Sequence, residues 1–148
     1  LSDLMGSRKK IMYFGTICAF FMSYLVIYVT LPVWLLNVFL FGFGFFISGF
    51  LVCFTMIREI SAPAVAATAI GFMNAFDALL GALSEPLTGW FLDLGWRGEM
   101  LNGGRIFPVA AYQKALATLP IYLFIASIIL IFIKETYKKD EIYPSTMP

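Results

Sequence analysis

Four long apolar stretches constrain what this chain can fold into more than any other feature of its sequence. They cover residues 11–31, 34–57, 64–92 and 115–133. A helix that crosses a bilayer needs about 20 mostly apolar residues, and each stretch has about that length. Backbone groups in lipid find no water to bond, and continuous apolarity differs from the alternating pattern of barrel strands. The sequence therefore predicts an all-α membrane protein with four transmembrane helices and with lipid as its surroundings.

The composition agrees with this class and argues against several others. The chain is 61% hydrophobic and 13% charged, whereas a soluble domain carries about 25% charged residues. No basic patch indicates a nucleic-acid partner. The sequence has no histidine, and Cys18 and Cys53 lie far apart in apolar runs, so we predict no metal site and no cofactor. Without a recognisable nucleophile–base pair, we also predict that the protein is not an enzyme.

The charged residues lie mainly between the apolar stretches and predict their orientation. Residues 1–10 are expected to form a loop, 93–114 a long connection and 134–148 a polar tail. With four spans, the two ends of the chain and the connection near Arg58 lie on one side of the membrane. Of the ten Lys and Arg residues, seven lie on that side and three on the other. The seven are Arg8, Lys9, Lys10, Arg58, Lys134, Lys138 and Lys139. Because positive residues favour the cytoplasmic side, both ends of the chain are expected to be cytoplasmic.

The third stretch carries two acids, Asp77 and Glu85, inside otherwise apolar sequence. A carboxylate near the middle of a bilayer costs about 2.5–3.5 kcal/mol, and it usually faces a bundle interior or an aqueous path. At about 100° per residue, several small or polar residues fall with Asp77 in a sector about 100° wide. They are Asn74, Gly81, Ser84, Glu85 and Thr88. This stripe predicts a helix side that faces water or other protein.

Each of these residues also has a simpler interpretation. Asp77 can be satisfied by an Asn or Ser of a neighbouring helix without any transport role. Glu85 precedes Pro86, which removes a backbone hydrogen bond, so a structural or gating role is possible there. In the second stretch, Asn37 and Ser48 share a narrow face with small residues, and ordinary helix packing explains that face equally well.

The first ten residues, LSDLMGSRKK, resemble a loop signature of the major facilitator superfamily. Asp3, Gly6 and the basic run Arg8, Lys9 and Lys10 match the pattern, in which an Asp and a Gly precede a basic cluster. The sequence has Leu4 where the family often has Arg. A second resemblance, to the eleventh helix and its exit, is carried by Ala67, Gly71, Gly81, Pro86, Gly89, Asp93 and Trp96. Residues 133–136, IKET, are similar to the common end of the twelfth helix.

This resemblance implies a fold and distinct roles for the individual helices. The chain would correspond to a C-terminal fragment, from the loop after helix eight through helix twelve. Helices missing from its N-terminal side would then be partners from the same protein. In this family the tenth and eleventh helices line the central cavity, and the loop with Asp3, Gly6 and Arg8–Lys10 forms a cytoplasmic gate. Residues 105–107, 111–113 and 119–121 are reminiscent of amino-acid and metabolite carriers of bacteria that live inside host cells, which implies a bacterial inner membrane.

We therefore expect part of a secondary active transporter that moves a small polar solute by alternating access, with proton coupling. In this hypothesis Asp77 and Asn74 contact the substrate or a coupling proton, and Glu85 lies nearer the outer mouth. Gly81, Ser84, Asn37 and Ser48 complete the predicted pathway. One alternative is a structural or assembly subunit whose acids bond neighbouring helices. Another is a small multidrug exporter, although such proteins carry an essential Glu in their first span and residues 11–31 contain no acid.

Overall fold

The computed structural model describes residues 6–136, and this part of the chain is mostly helical. Four helical rods in it are long and apolar enough to cross a membrane: Arg8–Tyr28, Val33–Ile60, Ala66–Leu94 and Val109–Phe132. The elements are α1 (Arg8–Tyr28), α2 (Val33–Ile47), a 3₁₀ turn (Ser48–Leu51), α3 (Val52–Ile60), α4 (Ala66–Leu94), β1 (Met100–Leu101), β2 (Gly104–Arg105), α5 (Val109–Leu116) and α6 (Thr118–Phe132).

Local sequence explains where several of these helices begin. Ser7 caps α1, since its side chain accepts a hydrogen bond from the backbone N–H of Lys10 at 3.2 Å. Pro32 and Pro108 each precede the first residue of a helix. Proline fits such positions because it lacks the N–H that would remain unbonded at a helix start. The breaks between the first two rods and before α5 therefore follow from the sequence.

The rods differ at their ends from the predicted stretches. The second continues through Arg58 to Ile60, because the long arginine side chain can extend towards the membrane surface. The fourth begins at Val109 rather than at residue 115, since VAAYQKAL consists largely of good helix formers. The connection predicted as a loop over 93–114 accordingly contains the end of α4, a β-hairpin and most of α5.

Helix α1 is the centre of the packing. It lies along both α2 and α6, and the buried apolar cluster of Met12, Met56 and Leu130 joins α1, α3 and α6. By contrast, α4 packs mainly on α3 and α5, and none of its residues is buried within the described part of the chain. The structure thus consists of a packed group of three rods and a fourth, α4, that is open on most of its surface.

The close approach of α1 and α2 depends on Gly15. This glycine is buried, and a Cβ atom added to it would lie 2.8 Å from the carbonyl oxygen of Phe46. The obstructing atom belongs to the backbone, so the helix itself would have to move. Small residues at such contacts allow membrane helices to pack closely.

Gly15→Ala is expected to lower the free energy of unfolding by about 1–3 kcal/mol, since overpacking a tight contact has that effect. Gly44→Ala in α2 is the matched control, because a Cβ there meets no atom within 4 Å. It should be neutral or slightly stabilising, because Ala favours helix over Gly. Titration from mild detergent into SDS, followed by circular dichroism, measures both. Equal effects of the two substitutions would show that Gly15 is not at a critical contact.

Candidate functional site

The length of α4 places Asp77 and Glu85 in the hydrocarbon layer. Its 29 residues extend about 43 Å at about 1.5 Å each, whereas the hydrocarbon core is about 30 Å thick. Leu80 is the middle residue, so Asp77 lies about 4.5 Å and Glu85 about 7.5 Å from the centre along the helix axis. If the helix is centred in the bilayer, neither backbone position reaches the headgroup layer.

Within residues 6–136, three polar residues around the centre of α4 have no side-chain partner. Asp77, Asn74 and Glu85 are exposed, and none of their side chains makes a hydrogen bond or ion pair with the described residues. Gly81 is exposed as well, and a Cβ added there meets no atom within 4 Å. An unpaired carboxylate is expensive in lipid, so this surface requires water or further protein.

Ser84 differs from its neighbours because it lies beside another helix. Its hydroxyl donates to the backbone carbonyl of Leu80 at 2.6 Å and lies 3.4 Å from the hydroxyl of Tyr122 in α6. One turn later, Thr88 donates to the carbonyl of Ser84 at 2.9 Å. Both hydroxyls are therefore satisfied by the backbone of α4, and the Ser84–Tyr122 approach marks where α4 meets the fourth rod.

The side of α4 that carries Asp77 is also the side turned towards the rest of the chain. All the partly shielded residues of α4 fall within about 80° of Asp77 when placed at about 100° per residue. They are Ala66, Ala69, Ile70, Met73, Ser84, Thr88, Phe91 and Leu92. Positions 74–83, between these two groups, are all exposed. The polar side thus meets protein towards both ends and is open around Asp77, while the opposite apolar side is exposed throughout.

Pro86 adds a weak point to α4 close to this opening. It lies inside the helix and has no N–H to donate to the carbonyl of Ala82. Ser84 precedes Pro86 and Thr88 follows it, and the hydroxyl of each donates to the backbone carbonyl four residues before it. Such bonds tend to bend helices. Local bending between Leu80 and Thr88 is therefore easier than elsewhere in α4.

The predicted pathway residues of the second rod are not brought to α4. Asn37 is exposed and makes no side-chain hydrogen bond with the described residues. Ser48 donates only to the carbonyl of Phe45, at 2.6 Å. The 3₁₀ turn that begins at Ser48 changes the helical phase of the second rod, because each of its residues advances about 120° instead of about 100°. Residues beyond Leu51, including Thr55, are rotated accordingly.

The predicted gate loop forms a polar cluster at the start of α1. The Arg8 guanidinium donates from Nε and Nη2 to Oε1 of Glu59, at 3.2 and 3.0 Å. The Arg8 side chain is 7% exposed and that of Glu59 is 26% exposed. Thr136 donates its hydroxyl to the other oxygen of Glu59 at 2.7 Å. A buried arginine at this position is therefore neutralised by an acid from the end of α3.

Glu135, which follows α6, supplies a second acid to this cluster. Its carboxylate accepts from the backbone N–H of Arg8 at 2.9 Å, from that of Lys9 at 3.3 Å and from the Ser7 hydroxyl. Negative charge is favourable at a helix N-terminus, where N–H groups lack partners within the helix. The cluster therefore joins the start of α1 with the ends of α3 and α6 at one end of the bundle.

The other residues of the predicted gate loop have separate positions. Lys9 donates from Nζ to the carbonyl of Ile131 at 2.6 Å, near the end of α6. Gly6 has a positive φ of 57°, a conformation that favours glycine. Lys10 is exposed. Asp3 lies outside the described residues, as does the tail beyond Thr136. Glu59 and Glu135 were not predicted from the sequence, although each directly follows a basic residue at the end of an apolar stretch.

Residues 6–136 contain no group of three or more His, Cys, Asp or Glu residues that could hold a metal ion. Comparisons with protein-family models, curated proteins and solved structures gave no match for this chain. The candidate site is accordingly defined by the residues and contacts of this chain alone. It consists of the open polar side of α4 and, at one end of the bundle, the cluster around Arg8.

Proposed function

We propose that this chain is part of a secondary active transporter of the major facilitator type, in which the Asp77 side of α4 lines an aqueous passage. One observation carries the proposal: Asp77, which pairs with no other residue in 6–136, lies about 4.5 Å from the middle of a helix long enough to cross the bilayer. A carboxylate in that position needs water, a solute or a partner. An aqueous passage provides the first two.

The passage carries a small polar solute, and Asp77 binds either the solute or a coupling proton. Desolvation near the bilayer centre favours the neutral form of a carboxylate, which suits a group that takes up and releases a proton in each cycle. Asn74 lies about one helical turn away on the same side and can contact the same solute. Alternating access then exposes these residues to each side of the membrane in turn.

In this proposal, further helices of the same protein form the other wall of the passage. They cover the open part of α4, which has no buried residue among those described. The membrane is a bacterial inner membrane, and the end of the bundle with Arg8 faces the cytoplasm. The pairing of Arg8 with Glu59 supports a gate at that end, since it connects the predicted gate loop to a neighbouring rod.

The test is uptake by the protein expressed with any further helices that its gene encodes and reconstituted in liposomes. Amino acids and other small polar metabolites are screened with and without a pH gradient. Asp77→Asn should lower the initial rate at least about tenfold, which corresponds to about 1.4 kcal/mol, and should remove the dependence on the gradient. Leu79→Ile, on the apolar side of α4, is the matched control and should retain the rate.

An assembly subunit is the second candidate, because the open surface of α4 can also pack against a different protein. In that case Asp77 bonds a partner helix and carries no solute. Asp77→Asn would then weaken co-purification with the partner, and the wild-type protein would take up none of the solutes at any pH gradient. If the Asp77→Asn variant took up solute with the same rate and pH dependence as the wild type, Asp77 would have no part in the transport mechanism.

A further inference from the structure

A short β-hairpin follows α4 and lies outside the proposed passage. Strands β1 and β2 pair with Met100 opposite Arg105 and Leu101 opposite Gly104. Asn102 and Gly103 connect them with φ angles of 49° and 81°. Two positive φ values in a two-residue connection are typical of the tight hairpin turn that matches the twist of the strands. The segment is therefore an ordered hairpin.

Side-chain contacts hold this hairpin at the end of α4. Arg105 donates from Nη1 to Oδ1 of Asp93 at 2.9 Å, and its guanidinium lies 4.7 Å from the centre of the Trp96 ring. The Trp96 indole N–H donates to the carbonyl of Glu99 at 2.9 Å. Since Asp93 belongs to the last turn of α4, the hairpin cannot move far from the level at which that helix ends.

The hairpin carries apolar side chains that nothing in residues 6–136 covers. Met100 is 59% and Leu101 63% exposed, and Leu101 has only the glycine at 104 opposite it in the second strand. Leu94, the last residue of α4, is 64% exposed, and Val109, the first residue of α5, is 72% exposed. The hairpin and the helix ends on either side of it therefore all carry exposed apolar side chains.

We propose that this hairpin is a lipid-interface anchor, with Leu101 inserted among the lipid headgroups. The depth of α4 supports this position. A helix of about 43 Å centred in a hydrocarbon core of about 30 Å extends about 6–7 Å past each surface. The headgroup layer on each side is about 5–8 Å thick, so the pinned hairpin lies within it.

The polar residues of the segment fit the same environment. Trp96 has an apolar ring and one N–H, the combination that is enriched at membrane interfaces. The guanidinium of Arg105 is half exposed while it bonds Asp93, and Arg97 is exposed, so both can reach lipid phosphates. The hairpin segment thus combines exposed apolar side chains with a tryptophan and two arginines, and the partner that this combination fits is phospholipid.

A nitroxide depth measurement tests this anchor. Leu101→Cys is labelled in a Cys18→Ala, Cys53→Ala background and reconstituted in vesicles of phosphatidylcholine and phosphatidylglycerol. Collisions with oxygen, which concentrates in lipid, are compared with collisions with a water-soluble nickel chelate. Ser145→Cys labels the predicted polar tail as a water reference, and Phe72→Cys labels the apolar side of α4 as a lipid reference.

The Leu101 label is expected to collide with the chelate at least about threefold less often than the Ser145 label, because an interfacial segment is buried about 5–10 Å deep. Its oxygen collisions should remain high. Equal chelate collisions at both positions would place the hairpin in water and overturn the proposal. Protection from both chelate and oxygen would also overturn it, because the hairpin would then be covered by protein. Neither result depends on whether the protein transports a solute.

Discussion

Replacing Asp77 by leucine is expected to make membrane insertion of α4 more favourable by about 3–4 kcal/mol. This is the difference between the apparent insertion free energies of Asp and Leu at the centre of a helix. The effect depends on depth, because a side chain close to a helix end can reach the interface. Asp77 lies three residues from the middle of α4, so almost the full difference applies.

An insertion assay that scores glycosylation on either side of α4 measures this difference. Asp93→Leu provides the matched control within the same helix, since Asp93 lies in its last turn. That substitution should change the apparent free energy by less than about 1 kcal/mol, because the carboxylate is already near the interface. If both substitutions gave similar changes, Asp77 would not be near the bilayer centre, and the placement of α4 given above would be wrong.

Arg8→Ala is expected to lower the free energy of unfolding by about 3–5 kcal/mol. Removing one partner of a buried ion pair leaves the other charge without compensation, and this has a cost of that size. Arg8 is 7% exposed, and its guanidinium makes two hydrogen bonds to Glu59. The same cluster connects α1 to α3 and, through Glu135, to the end of α6. The substitution should therefore loosen three elements together.

A double-mutant cycle separates this pairing from loss of the arginine side chain. Glu59→Gln in the Arg8→Ala background should restore part of the stability, because it removes the uncompensated acid. Lys10→Ala is the control for loss of a basic residue from the same segment, since Lys10 is exposed. Unfolding in SDS titrations measures the wild type, the two single variants and the double variant of the cycle, and the Lys10→Ala control. A loss for Arg8→Ala no greater than that for Lys10→Ala would show that the Arg8–Glu59 pair does not stabilise the bundle.

Helical rods close to the predicted stretches are present in the structure because bilayer-length apolar runs constrain the chain strongly. Their ends are less predictable, since Arg58 continues a helix that its charge was expected to close. The hairpin was not predicted, because strands of two residues have no recognisable alternation. Asn102 and Gly103 were the signal that could have revealed it.

The two parts of the candidate site differ in how much of each could be predicted from the sequence. The polar stripe around Asp77 lies on one helix, so helical periodicity is enough to predict it. The partners of Arg8 lie 51 and 127 positions away, and no local pattern connects residues at such separations. Packing of α1 against α3 and α6 brings them together. Sequence reasoning therefore identified the basic residue without its acids.

Thiol accessibility along α4 tests the central claim most directly. Single cysteines at 74, 77, 81 and 84, and at 72, 79 and 83 on the opposite side, are introduced into the background without Cys18 and Cys53. A membrane-impermeant thiol reagent is then applied to each side of intact vesicles. An aqueous passage along the Asp77 side predicts reaction at the first set and none at the second. Protection of both sets, or reaction at the second alone, would contradict it.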